Sequence, residues 1–211
     1  MKTDDLIRGL TEDTVRQPAV SALVVPGVVV AVGFSLLFLW SVLGFRGDLV
    51  QSLGAPVSLS RFVLAGALGL IGLRLSLILA RPDGRGRANL GWFAVVGAVA
   101  VGLLVWAYVA TPAEGRQMAL VGKTVTKCLV MIPVLSVLPV AALLVTLRRG
   151  ATTVPALAGF VAGLGGAGMA AAVYALHCTE DSPLFYVTWY GLAIGGVAVV
   201  SAVAGARLLR W

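Results

Sequence analysis

The sequence predicts an all-α membrane protein: a bundle of six transmembrane helices with a short cytoplasmic N-terminal helix in front. Three observations carry that reading. Hydrophobic residues make up 59% of the chain and charged residues 12%, against roughly 25% charged in a soluble domain. The apolar residues gather into six runs, each close to the ~20 residues a helix needs to cross a bilayer. Every interval between runs is short and holds turn or charge signals, which leaves no room for a separate soluble domain. The chain therefore divides into an N-terminal segment, 1–17, and a six-span domain, 18–211.

The leader reads as a helix of its own. Thr3 suits the N-cap, Asp4 and Asp5 occupy the first turn where the helix dipole favours acids, and Pro18 stops it. Leu6, Ile7 and Leu10 give it an apolar edge. Its acids (Asp4, Asp5, Glu12, Asp13) outnumber its bases, unlike a basic helix that lies on lipid. That combination suits docking into a basic protein groove.

The first apolar run, Val20 to Leu43, exceeds the ~7–15 residues of a signal h-region and should stay in the protein. Arg46-Gly47-Asp48 separates it from the second run, Phe62 to Ala80. Arg81-Pro82-Asp83-Gly84 precedes the third, Leu90 to Val109, and Thr111-Pro112 follows it. The fourth, Cys128 to Leu147, opens near Met118 with an interfacial turn that carries Lys123 and Lys127. Pro133 and Pro139 should bend it. Arg148-Arg149-Gly150 leads to the fifth, Val154 to Leu176, whose Gly159, Gly163, Ala167 and Ala171 recur every four residues as a contact stripe. Asp181-Ser182-Pro183 leads to the sixth, Leu184 to Leu209, where Gly191 and Gly195 offer a second stripe.

Sidedness follows from lysine and arginine. With the N-terminus inside, the inner face holds Lys2, Arg8, Arg16, Arg81, Arg85, Arg87, Arg148, Arg149, Arg207 and Arg210. The outer face holds Arg46, Arg61, Arg116 and Lys123. This bias places both termini in the cytoplasm and accounts for the net charge of +7 without nucleic acid. Trp40, Trp106, Tyr108, Tyr174, Tyr186 and Trp189 would form an outer aromatic belt, with Trp92 and Trp211 at the inner one.

Few residues offer chemistry. The only cysteines, Cys128 and Cys178, open the fourth run and close the fifth, so both fall at the outer face. In an oxidising compartment they would persist as a disulfide, whose ~50-residue loop would stabilise the fold by about 4 kcal/mol in the chain-entropy account. They read equally as a plain staple or two unpaired buried thiols, or as a redox- or metal-responsive pair. His177 and Lys127 stand beside them in sequence, and a nearby cation raises the thiolate fraction. With one histidine and no CxxC pair, a resident metal or other cofactor is not expected. Arg74, about seven residues from the inner end of its run, should snorkel. Nothing suggests a nucleotide loop, a catalytic triad or a metalloprotease helix, so no enzyme activity is expected.

The opening Met1-Lys2-Thr3-Asp4-Asp5-Leu6-Ile7, the Arg148-Arg149-Gly150 turn followed by Pro155, the segment Tyr174 to Phe185 with Trp189-Tyr190, and the terminal Arg207 to Trp211 resemble NrsF-type proteins, six-span inner-membrane anti-sigma factors. The similarity runs from first residue to last. It implies that Lys2, Thr3, Asp4, Asp5, Leu6 and Ile7 contact an ECF sigma factor of the SigF type on the cytoplasmic side. It also implies that Cys128 and Cys178 form a periplasm-facing sensor pair for metal or oxidant stress. Membrane lipid is a further expected partner, with no direct contact to nucleic acid. Two rivals are weaker. A membrane thiol-disulfide oxidoreductase usually needs a second cysteine pair. A small transporter should line its midplane with polar groups, and only Arg74, Thr124, Thr126 and Ser136 qualify.

Overall fold

Proline opens three of the long helices. Pro56, Pro155 and Pro183 stand in the first helical positions, where a missing N–H is no loss and φ is already helical. The computed structural model describes residues 20–210, with side chains from Val24 onward. Within that range the helices are α1 (Val20–Val42), α2 (Leu49–Gly54), α3 (Pro56–Leu79), α4 (Gly84–Arg87), α5 (Gly91–Ala110), α6 (Ala113–Val121), α7 (Val125–Arg149), α8 (Pro155–Tyr174) and α9 (Pro183–Leu208). Six helical stretches are long and apolar enough to cross a membrane, in the order expected, and no strand occurs among the described residues. The leader, with Lys2, Thr3, Asp4, Asp5, Leu6 and Ile7, lies outside the described residues.

The fifth span, α8, is the centre of the bundle. Two thirds of its apolar window (67%) is buried, against 11% for α5, and it packs against α9, α3 and α7. Small residues make this possible, because without a hydrophobic drive between helices in lipid, association depends on close backbone approach. A Cβ on Gly163 would lie 2.6 Å from Ala198 Cα, one on Gly165 would lie 2.9 Å from Gly72 Cα, and one on Gly166 would lie 2.8 Å from Val140 N. Three neighbours thus approach on three faces. The predicted stripe is real but serves mainly α9. Its counterpart in α9 is not Gly191 and Gly195, which meet nothing within 4 Å, but Gly205, where a Cβ would lie 2.7 Å from Gly159 Cα.

Several expectations need correction. The second span begins at Pro56, not Phe62, so Arg61 lies inside a helix instead of in an outer loop. The stretch expected as an interfacial turn covers the end of a separate helix, α6, the link from Gly122 to Thr124 that holds Lys123, and the first turn of α7, which holds Lys127. Tyr174 and Tyr186 are 0% and 2% exposed and belong to the core, whereas Trp40, Trp106 and Tyr108 are exposed as a belt requires. Arg74 is exposed beside Arg87, Asn89 and Trp92, where the end of α3 meets the connection to α5, as a snorkelling residue would be.

α7 runs unbroken through Pro133 and Pro139. Pro139 has no N–H for the carbonyl of Leu135 four residues earlier. That oxygen accepts a hydrogen bond from Ser35 Oγ of α1 at 2.8 Å, so the proline creates the acceptor that fastens α1 to α7. Replacing Ser35 with alanine should cost about 0.6–2 kcal/mol and loosen α1. Thermal unfolding in detergent, with hydrogen exchange of α1 peptides, measures both effects.

Candidate functional site

The three connections at one end of the bundle close over the two cysteines. Cys128 sits in the first turn of α7, its N–H bonded to Thr124 O at 2.9 Å, and Cys178 follows α8, its N–H bonded to Tyr174 O at 3.1 Å. Both are free thiols, 0% and 1% exposed, in one apolar cluster with Leu39, Ile132, Leu135, Tyr174, Phe185 and Tyr190. The sulfur of Cys178 lies 4.0 Å from Thr124 Oγ1, in the turn that leads to Cys128. The expected pair is therefore brought together, at one end and in one core. Its sequence neighbours do not activate it as anticipated. His177 Nδ1 turns to Gly44 O at 3.0 Å, and Lys127 is exposed.

Above the thiols lies an ionic knot absent from the expectations. Arg46, 7% exposed, grips two carboxylates with paired bonds. Its Nε and Nη2 donate to Asp48 at 2.7 Å each, and its Nη1 and Nη2 donate to Asp181 at 2.9 and 3.0 Å. Nη1 also donates to the carbonyl of Cys178 at 3.0 Å, and the Arg46 N–H donates to Leu176 O at 3.0 Å. Arg61, 1% exposed, reaches the same place from α3. It pairs with Asp181 at 3.0 Å and donates to Glu180 O at 3.0 Å and Ser52 Oγ at 3.3 Å. Two guanidiniums and two carboxylates balance in charge, as burial demands.

The third connection is locked by Glu180, whose carboxylate accepts the Lys123 N–H at 2.8 Å. A Cβ on Gly122 would strike that carboxylate, and Gly122 has φ +56, so glycine is required there. Trp189 Nε1 donates to Leu120 O at 2.7 Å. Residues 43–48, 120–124 and 176–182 thus form one hydrogen-bonded cap, and the backbone of Cys178 is part of it.

The knot sets the acid behaviour of this end. The hydrogen bonds from Arg46 hold the Asp48 carboxyl down to about 2. Burial pushes Asp181 up, but its bonds to Arg46 and the charge of Arg61 outweigh this and leave it below its ordinary value. Bonds to Asp48, then to Asp181, hold Arg46 above its already high range. Among the described residues, no three His, Cys, Asp or Glu side chains converge as metal ligands.

One signal could have revealed the knot. Pro56 marks a helix start, which places Arg61 inside a span. There an ionisable side chain requires a partner, and the acids of the connections at that end, Asp48, Glu114, Glu180 and Asp181, were the candidates.

Residues 10–211 match the family described as negative regulator of sigma F, NrsF. The chain is 36% identical over 219 residues to the anti-sigma-F factor NrsF of Caulobacter vibrioides (strain NA1000 / CB15N), covering all of both chains. It is 34% identical over 221 residues, again covering both completely, to a protein of Azospira oryzae (strain ATCC BAA-33 / DSM 13638 / PS) named as a probable anti-sigma-F factor NrsF. No solved structure matches it.

Proposed function

The chain belongs to the NrsF family of negative regulators of sigma F, and on that premise we propose that it holds an ECF sigma factor of the SigF type at the bacterial inner membrane. The cytoplasmic leader makes the contact, through Lys2, Thr3, Asp4, Asp5, Leu6 and Ile7. Release follows when Cys128 and Cys178, facing the periplasm, respond to metal or oxidative stress.

The observation that carries this reading is that the thiol cluster and α1 share contacts at both levels. Leu39 of α1 lies in the thiol cluster, and Ser35 of α1 bonds to α7, the helix whose first turn holds Cys128. α1 is the span that follows the leader directly in sequence, and its 23 residues cover about 35 Å. Both sulfurs are close-packed, so an added ligand or a new bond cannot be absorbed without repacking. Repacking at Cys128 and Leu39 bears on α1, and α1 carries it to the leader. Moving a partner from almost fully held to almost fully free takes roughly 5 kcal/mol of differential affinity, within reach of one cross-link or metal site.

Three variants test it. Deleting Met1 to Leu10 should abolish capture of the sigma factor in a pull-down from detergent while leaving the protein in the membrane. Cys128→Ser and Cys178→Ser should each change induction of sigma-dependent genes by stress at unchanged protein level. Capture that survives the deletion, or unaltered induction in both cysteine variants, refutes the corresponding half of the reading.

A further inference from the structure

We propose that the cavity around Arg74, at the end of the bundle opposite the thiols, binds the phosphate of an anionic phospholipid. The cavity has a volume of about 270 Å3 and lies where the end of α3 meets the connection to α5. Its polar lining is Arg74, Arg87, Asn89 and Trp92. The rest is apolar and belongs to α3: Ile71, Leu75 and Ile78. No carboxylate lines it among the described residues.

Local folding fixes the polar side. Gly84 lets the connection turn tightly against the end of α3, where a Cβ would strike the carbonyl of Ile78. The Gly84 N–H then bonds to Arg81 O at 3.0 Å and the Ala88 N–H to Gly84 O at 2.9 Å, while the Ala151 N–H ties the neighbouring connection to Ala80 O at 2.8 Å. Arg87 is steadied by Asp83 at 3.0 Å. Asn89 Oδ1 accepts the Gly91 N–H at 2.9 Å, which leaves its NH2 group as the donor. The indole of Trp92, 53% exposed, can only donate. Two guanidiniums, an amide and an indole thus offer donors to one acceptor-rich group.

Charge and depth identify that group. Arg74 stands five residues before the end of α3, about 7.5 Å along the helix, and forms no salt bridge among the described residues. An ionised side chain within a span calls for a partner. Asp83 already balances Arg87, so the cavity keeps one unmatched positive charge. A zwitterionic headgroup brings its own cation and leaves that charge in place, whereas a phosphodiester with net negative charge cancels it. Basic pockets between spans take anionic headgroups on this principle. Soluble phosphate would cancel the charge as well, but the apolar side favours a lipid. Arg74 shares one face of α3 with Ile71, Leu75 and Ile78, at intervals of three and four, and Leu70 next to that face is 69% exposed. The site therefore adjoins surface that acyl chains cover, and a free anion gains nothing from it.

The test uses the full chain in nonionic detergent with phosphatidylglycerol bearing a diazirine near the top of one acyl chain. Labelling should fall on residues 70–78 and 87–93. Unlabelled phosphatidylglycerol should compete about fivefold better than phosphatidylcholine of the same chains, the contribution of one arginine beside an anionic lipid, and inorganic phosphate should not compete. Arg74→Gln should bring the two lipids level at unchanged elution volume. Should that variant fail to fold, the competition on the unaltered chain decides alone. Equal competition by the two lipids, a preference that survives Arg74→Gln, or labelling elsewhere overturns the assignment. Displacement by inorganic phosphate overturns the lipid as the source of the anion. Labelling that appears only after deletion of Met1 to Leu10 overturns it too, because an acid of the leader then holds Arg74.

Discussion

Replacing Asp181 with alanine destabilises the bundle by about 3 kcal/mol, the low end of the range for removing one partner of a buried pair. The low end applies because the side chain of Asp181 is 38% exposed, while those of Arg46 and Arg61 are 2% and 0%. The change strips both guanidiniums of a shared acceptor and leaves Arg61 without its carboxylate. Asp181→Asn, which keeps one acceptor oxygen, should cost less. Unfolding in mixed detergent micelles, followed by tryptophan fluorescence, gives the difference. A loss within 0.5 kcal/mol for the alanine variant would mean that the knot contributes nothing.

The knot also predicts an acid limit. Asp48 and Asp181 have folded values below the ~3.9 of a free aspartate. A depressed carboxylate contributes stability that is fully present above its unfolded value and is lost as pH falls through the folded one. Stability should therefore hold down to about pH 4 and decline towards pH 2, with a shallower decline in Asp181→Asn.

Gly72→Leu should be at least as damaging, about 3 kcal/mol at the upper end of overpacking, because the new side chain would enter the backbone of Gly165 at the centre of the bundle. Gly195→Ala, whose methyl meets open space, should stay within about 0.5 kcal/mol. Parallel melts of the two variants decide whether α8 is the packing axis. Equal melts would show that glycine content alone, and not its placement, matters.

The contrast between those glycines marks how far a linear reading reaches. Gly159 and Gly195 occupy equivalent-looking four-residue stripes, yet one touches a neighbouring backbone and the other faces open space. Nothing local distinguishes them, since contact depends on which helices flank each face. Tyr174 and Tyr186 looked like belt residues by position along the chain, and helix rotation turned both into the core. Arg46 and Arg61 counted as surface charges for the same reason: the acid that buries them lies more than a hundred residues away. The cysteines were legible because a span end is fixed by counting apolar residues.

By itself the sequence determined the six spans, their order, the placement of both thiols at one end and the family. Each rests on a property that accumulates along the chain: hydropathy, length, charge bias and motif. Tertiary structure alone decided that α8 is central, that Ser35 takes the carbonyl freed by Pro139, and that Arg46 and Arg61 close over Cys178. These depend on rotation and proximity between helices distant in sequence, and in lipid such contacts are selected by backbone fit and hydrogen bonding, which leave no periodic trace in composition.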